Sequence, residues 1–301
     1  MKLVPIRTVC AMYDLNPNTL RTWERRYGLV APERTAGGQR GYGEEDMEKI
    51  RRVLQLTSSG TSIGEAADQV NAWARDRKPH QPSAAVKEWR RKFNDAVKSL
   101  DTARSLGCAH RLVEALGYNE AVEHVFFPEL RQWGALWAKD GHVVAQEHVA
   151  SLAVRAALLS PRLSITENKN PVKSPVVILA CVPGEQHDLP LLHLANLMRM
   201  ESSLQPTLLV AGLPIADILR TCERSHAQVL VLSASITPRA DVARTWLGEI
   251  TEAGWEDRTI FAGGGFSNTR LFGNSAIRSA AGSFSQLVKM IESLKDAGPV
   301  N

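Results

Sequence analysis

VVILACVPGEQHDLP (176–190) begins with an unbroken apolar run and closes on a proline. VVILA (176–180) has the length and composition of a strand buried on both faces, and the more polar stretch 181–188 behind it reads as a loop. Within that loop Glu185 and His187 stand two residues apart. A carboxylate so placed can hold one imidazole nitrogen and leave the other free for a metal. Taken singly, a Glu-x-His in a loop is most often solvated, so its weight depends on what surrounds it.

The same rhythm recurs downstream. TLLVAG (207–212), VLVLS (229–233) and TIFAGG (259–264) are short apolar runs, separated by amphipathic segments at 189–201, 214–225, 239–253 and 284–296. Strand–helix alternation predicts a parallel sheet of four or five strands with helices on both faces, a doubly wound, flavodoxin-like α/β domain over residues 174–298. Ligands in such folds bind beyond the carboxyl ends of the strands, which directs attention to loops 181–188, 233–238 and 262–268. Ser233 follows the third run and is placed to extend a hydrogen-bonded chain from Glu185 and His187. Gly263, Gly264 and Gly265 follow the fourth, where missing side chains let a bulky ligand approach the backbone.

Before the sheet, residues 86–165 carry a helical period, with Trp133, Leu136 and Trp137, then Val149, Leu152, Ala153 and Ala156, at three- and four-residue spacing. This predicts a four-helix bundle, set off from the sheet by TENKNPVKSP (166–175). Trp137, a turn at Asp140-Gly141, and then Glu147-His148 form a W-x9-E-H pattern. An antiparallel helix pair brings the indole, the carboxylate and the imidazole to one end of the bundle. The bland alternative places Trp137 in the core and Glu147-His148 on the surface.

The first 77 residues read as a separate block, followed by a linker, RKPHQPSAA (77–85). Ile6, Val9 and Cys10 form the apolar face of a short helix. Asn16-Pro17-Asn18 precedes TLRTWERRYG (19–28), and either asparagine can cap that helix. Leu20 and Trp23 face inward, while Thr19, Arg21, Thr22, Arg25, Arg26 and Tyr27 are candidates for a DNA-facing surface. RTAGGQRGY (34–42) predicts a glycine-rich hairpin from which Arg40 and Tyr42 reach a phosphate backbone. A basic helix flanked by such a wing is a winged helix-turn-helix. On charge alone, a solvated basic helix accounts for the pattern equally well.

Composition sets the outer bounds. At 301 residues, 44% hydrophobic and 23% charged, the chain has material for two or three domains and excludes a wholly disordered or collagen-like protein. No apolar run reaches the roughly 18 residues of a membrane span. No signal peptide is read at the start, and the scattered Cys10, Cys108, Cys181 and Cys222 form no CxxC, which fits a reducing cytoplasm. The net charge of +4 permits an anionic partner without requiring one.

TLRTWERRYGLVAPERTAGGQRGYGEEDMEKI (19–50) closely resembles the DNA-binding domain of the MerR family of transcription regulators, and the likeness covers residues 3–73. It implies a dimer on a palindromic operator, with DNA distortion as part of the mechanism. The long dimerisation helix and terminal cysteines of metal-sensing members are missing, so the effector is sensed by the residues C-terminal to this block. Glu185-x-His187, Ser233 and Gly263-Gly264 together resemble the cobalamin-binding module of methionine synthase and related mutases. With W-x9-E-H ahead of it, the whole chain is similar to the CarH/LitR-type cobalamin-dependent photoreceptor repressors. That resemblance implies adenosylcobalamin as cofactor, with His187 as lower axial cobalt ligand and Trp137 and Glu147 around the adenosyl group. It also implies that His148 takes the upper cobalt face after light, and that Ser233, Gly263 and Gly264 lie by the nucleotide tail. A homo-oligomer, dimer or tetramer, competing with RNA polymerase at a promoter is implied by the same likeness.

Two departures stand out: Pro190 where the family usually has glycine, and Ser235 where leucine is usual. Other readings are a light-independent cobalamin sensor, a cofactor-free regulator of the same architecture, or a corrinoid methyl carrier. An enzyme with its own substrate barrel is excluded, because no stretch outside residues 1–77 is long enough for one.

Overall fold

The computed structural model describes residues 3–13, 15–34, 38–58, 61–76, 83–137, 143–160, 174–209, 212–266, 278–280 and 283–294. The Asp140-Gly141 turn, most of the 77–85 linker and most of the 166–175 stretch lie outside the described residues.

The N-terminal block runs β1 (Val4–Pro5), α1 (Ile6–Tyr13), α2 (Pro17–Tyr27), β2 (Glu33–Arg34), β3 (Arg40–Tyr42), α3 (Glu44–Ser58) and α4 (Ile63–Asp76). The three strands form an antiparallel sheet in the order β1-β3-β2. Asn16 caps α2: its Oδ1 accepts the Asn18 N–H at 2.9 Å, with Pro17 in the first turn and Gly28 at φ 56° closing the other end. A cap of this kind contributes about 1 kcal/mol. Leu20, Trp23, Leu29, Tyr42 and Ile50 form the core. Buried Asp46 accepts the backbone N–H groups of Ala31 (2.8 Å) and Gly43 (3.1 Å), tying both sides of the hairpin to α3.

The bundle consists of α5 (Ala84–Lys98), α6 (Thr102–Leu116), α7 (Tyr118–Ala121), α8 (Phe127–Trp137) and α9 (Val144–Leu158). Ser83 caps α5, so the helix starts inside the stretch expected to be linker. A π-helical turn, Val122–Phe126, makes α7 and α8 one continuous rod. Pro128 explains that turn: it has no N–H to offer the His124 carbonyl, and its ring crowds that carbonyl, so the backbone widens. Phe93, Phe126, Leu112 and Leu158 are fully buried in the bundle core. Glu129 is buried there too, and is held by the Arg90 guanidinium and the Asn94 amide. Trp133 donates its indole N–H to Asn94 Oδ1 at 3.0 Å.

The sheet region contains β4 (Val176–Cys181), α10 (Leu189–Glu201), β5 (Gln205–Leu209), α11 (Ile215–Arg224), β6 (Val229–Ser233), α12 (Ala240–Glu252), β7 (Thr259–Ala262), β8 (Arg278–Ala280) and α13 (Phe284–Leu294). All four expected strands are present, and β8 is a fifth. β4 pairs in parallel with both β5 and β6, and the order β5-β4-β6-β7-β8 is the flavodoxin-like 2-1-3-4-5 arrangement. The connection reverses direction between β4 and β6, which puts the topological switch point beside Cys181 and Ser233. Leu189 and Leu192 of α10 pack into the bundle core. The Asn196 amide bridges the Tyr118 hydroxyl (3.0 Å) and the Leu158 carbonyl (2.9 Å). Bundle and first sheet helix therefore share one hydrophobic and polar contact zone.

Candidate functional site

The loop after β4 is built around one buried carboxylate. Gly184 takes a left-handed φ of 84°, and the Glu185 N–H returns to the Val182 carbonyl at 3.0 Å, forming a tight turn. That turn points Glu185 inward, where its Oε1 accepts the backbone N–H groups of Gln186 and His187, both at 2.8 Å. The same oxygen lies 2.5 Å from His187 Nδ1. A carboxylate acceptor there assigns the proton to Nδ1, leaving Nε2 as a lone-pair donor on a side chain that is 58% exposed. This is the geometry of an imidazole prepared to bind a metal from outside. Ser233 is buried at the end of β6, and its carbonyl accepts the Val182 N–H at 3.0 Å, joining the two strand ends at the switch point. Burial pushes the Cys181 thiol up to about 12, with the Glu185 and Asp188 charges adding to it, so this neighbouring sulfur stays protonated.

Pro190 fits without disturbing this loop. It occupies the first turn of α10, where its missing N–H has no helical partner to lose. Asp188, at the N-cap of α10, does not cap with its side chain. Its carboxylate instead receives a bidentate pair from Arg155 of α9, Nη1 to Oδ2 at 2.9 Å and Nη2 to Oδ1 at 2.5 Å. Sequence reasoning missed this pair. The one signal available was an acidic residue next to His187, and nothing in the chain order linked it to position 155.

On the bundle, α8 ends at Trp137, which is 51% exposed, while Trp133 one turn earlier is buried. Leu136 and Leu152 are likewise exposed, although their spacing placed them on the packed face. Asn94, itself held by Glu129, anchors Trp133, and the bundle core stops short of the end of α8. Glu147 lies in the first turn of α9 and accepts from Ser151 Oγ at 2.7 Å. His148 Nδ1 sits 2.9 Å from the second Glu147 oxygen, and its ring is 75% exposed. The bland alternative therefore fails for Trp137, which is outside the core, and holds for the exposed His148 ring; the indole, the carboxylate and the imidazole stand at the adjoining ends of two packed helices.

The glycines after β7 divide by role. A Cβ on Gly263 would lie 2.4 Å from the Ala234 carbonyl oxygen, and one on Gly265 2.4 Å from that of Ile236. Gly263 also has φ 96°. These two are glycine because the loop packs on residues 234–236, which corrects the reading that all three admit a ligand. A Cβ on Gly264 would meet the Ser235 carbonyl at 3.6 Å, an ordinary contact.

In the N-terminal block, Arg21, Arg25 and Arg26 of α2 are exposed. Arg21 Nη1 donates to Asn18 Oδ1 at 2.9 Å and the Thr22 hydroxyl to the Asn18 carbonyl at 2.8 Å. Thr19 and Tyr27 are half-buried, and the Tyr27 carbonyl accepts the Asn71 amide at 2.8 Å. Arg40 pairs with Glu24 of α2 at 2.8 Å, which holds the wing against that helix.

The family model of the MerR HTH family regulatory protein matches residues 4–72. Over most of its length the chain is similar to two proteins of Myxococcus xanthus. It is 28% identical over 258 residues to the HTH-type transcriptional repressor CarH, covering 81% of this chain and 83% of that one. It is 30% identical over 234 residues to the HTH-type transcriptional repressor CarA, covering 76% and 75%. The chain belongs to the CarA/CarH family of MerR-type transcriptional regulators. Among solved structures, the Methanosarcina barkeri monomethylamine corrinoid protein matches with a TM-score of 0.52 at 16% identity, over 69% of this chain and 99% of that one. That likeness is one of fold: helical bundle followed by α/β domain.

As a CarA/CarH-type regulator, the protein binds DNA through the α2 block, and its function is regulatory and not enzymatic. No helix among the described residues is long and apolar enough to cross a membrane. The wing needs one correction. Tyr42 is fully buried beneath the hairpin, so it is a core residue and does not reach a phosphate. It reads as accessible in sequence because it follows Arg40 in a glycine-rich stretch, but at the end of β3 its ring joins the core cluster of Val9, Leu20 and Ile50.

Proposed function

We propose that this chain is a cytoplasmic, adenosylcobalamin-dependent, light-responsive repressor. It comprises a DNA-binding block over 1–77, a bundle over 86–165 that covers the upper face of the cofactor, and a cobalamin-binding domain over 174–298. The observation that carries the reading is the Glu185–His187 pair at the sheet's switch point, which leaves Nε2 exposed as a lone-pair donor.

When bound, adenosylcobalamin supplies a cobalt–carbon bond that light breaks. His187 would hold the cobalt through Nε2, with Glu185 keeping its tautomer and ring orientation fixed. Gly264 and Ser233 would stand by the nucleotide tail, with Ser233 buried at the end of β6. Trp137 offers an aromatic face to the adenosyl group, and Glu147 accepts hydrogen bonds from it. These two residues distinguish the dark state from the light state, because a ligand shifts an equilibrium only through contacts that differ between its ends. His148, next to Glu147 on α9, would be the second histidine to hold the cobalt after light, and its bond would keep the changed state.

The resulting rearrangement sets the assembly, dimer or tetramer, that docks α2 on the operator and competes with RNA polymerase at the promoter. The repressor names of CarA and CarH support this sign of regulation. The test is size-exclusion chromatography and operator binding of adenosylcobalamin-loaded protein in darkness and after illumination. A light-induced change in assembly with loss of operator affinity is expected. Photolysis with neither change would refute the switch.

A further inference from the structure

Resting on that reading, we propose that Arg155 and Asp188 are a positioning clamp that ties the lower-ligand loop to the upper-ligand helix and thereby sets how His187 meets the cofactor. Arg155 occupies the last turn of α9, and Asp188 directly follows His187. Both carboxylate oxygens are engaged by both terminal guanidinium nitrogens, at 2.9 and 2.5 Å. A fork-on-fork pair fixes direction as well as distance, which a lysine at the same place cannot do.

Two further observations separate this pair from a surface ion pair. Asp188 is only 8% exposed, so its charge depends on Arg155 for compensation. It also stands at the N-cap of α10, where aspartate ordinarily accepts an N–H of its own helix, yet its side chain makes no cap bond. Its oxygens serve the link between elements in place of the local cap.

The position of Arg155 gives the link its consequence. His148 and Arg155 are seven residues apart on α9, a rise of about 10 Å along the helix axis. One rigid helix thus carries the upper-face histidine at one end and, at the other, the cation that grips the residue beside the lower-face histidine. Glu185 fixes the His187 ring within its loop, and Arg155 fixes the loop against α9. A displacement of α9 reaches His187 through Asp188 without passing through the sheet.

The experiment uses cob(II)inamide, which lacks the nucleotide base, so an axial nitrogen in its electron paramagnetic resonance spectrum comes from the protein. A full-length His148→Ala parent restricts that nitrogen to His187. The parent is expected to show the three-line nitrogen splitting. Adding Arg155→Met should remove most of it and weaken binding about tenfold, the lower end of effects at groups that orient a metal ligand. Asp188→Asn should match Arg155→Met, the double variant should be no worse than either single, and Arg155→Lys should recover part of the splitting. A folded Arg155→Met variant with unchanged splitting and affinity overturns the clamp and leaves the cofactor reading standing. A parent without axial nitrogen overturns the lower-ligand role of His187 and the clamp with it. If Arg155→Met does not fold, Asp188→Asn, which keeps the side-chain shape, decides on the same criteria.

Discussion

Glu185 with His187 and Glu147 with His148 are the same chemical pair set in different surroundings. In the loop after β4 the glutamate side chain is 4% exposed and one oxygen serves two backbone N–H groups and the imidazole. On α9 the glutamate is 25% exposed, bonds to Ser151 and His148, and its histidine ring is 75% exposed. The first pair is fixed by the backbone around it. The second is held by one contact between adjacent residues on a helix, and surface pairs of that kind contribute about 0–1 kcal/mol. The contrast teaches that a histidine's readiness to bind a metal depends on what its other nitrogen is doing, and on how firmly. Under the proposed function, His187 is a ligand prepared in advance and His148 is one that can move.

The largest expected effect comes from removing the fixed anchor. Glu185→Gln should weaken cobalamin binding about 10- to 100-fold, whereas Glu147→Gln should weaken dark binding far less, both measured by spectroscopic titration. Equal losses would erase the contrast between the pairs. Next, His187→Ala should lower dark affinity for cobalamin, and His148→Ala should leave it within about twofold, since the proposed function makes only the former a ligand before light. A His148→Ala variant that loses dark binding would place it in the wrong state.

A smaller effect distinguishes two arginine settings in the DNA-binding block. Arg25→Ala or Arg26→Ala should reduce the salt dependence of operator binding by about one counterion each. Arg40→Ala, which breaks the Glu24 pair, should act more through wing placement, with a loss of affinity at all salt concentrations. The smallest effect concerns Tyr42, whose buried hydroxyl has no hydrogen-bond partner among the described residues. Tyr42→Phe removes that unpaired group, so the melting temperature at pH 7 should stay level or rise, with operator affinity unchanged. Burial raises the Tyr42 hydroxyl above its ordinary value. A raised folded-state value stabilises below about pH 10 and is lost as pH climbs through it, so the wild type should lose stability on the alkaline side more steeply than Tyr42→Phe.

The strands and helices of the α/β domain were legible in the sequence because buried parallel strands are continuous apolar runs, and each of the four expected was found. The α2 helix was equally legible from Asn16, Pro17 and Gly28. Contacts that join elements far apart in the chain were not. Arg155–Asp188 and the Arg90–Glu129–Asn94 network depend on which helix faces meet, and periodicity does not encode that. Leu136 and Leu152 show the converse error: helical spacing marks an apolar stripe but not where the packed core ends. Gly263 and Gly265 were noticed for the right place and the wrong reason, since a glycine that lets a ligand approach and one that lets a neighbouring strand end approach look alike in sequence.

Under the proposed function, the two glutamate–histidine pairs serve opposite faces of one light-sensitive cofactor. The most direct test is the absorption spectrum of protein loaded with adenosylcobalamin in darkness, recorded before and after illumination for wild type and His148→Ala. The wild type should convert to a photoproduct that keeps its cobalamin and persists in the dark. The variant should photolyse at a similar rate but give a different spectrum and release or exchange its cofactor. Failure to bind adenosylcobalamin, or identical and equally stable photoproducts in the two proteins, would contradict the account.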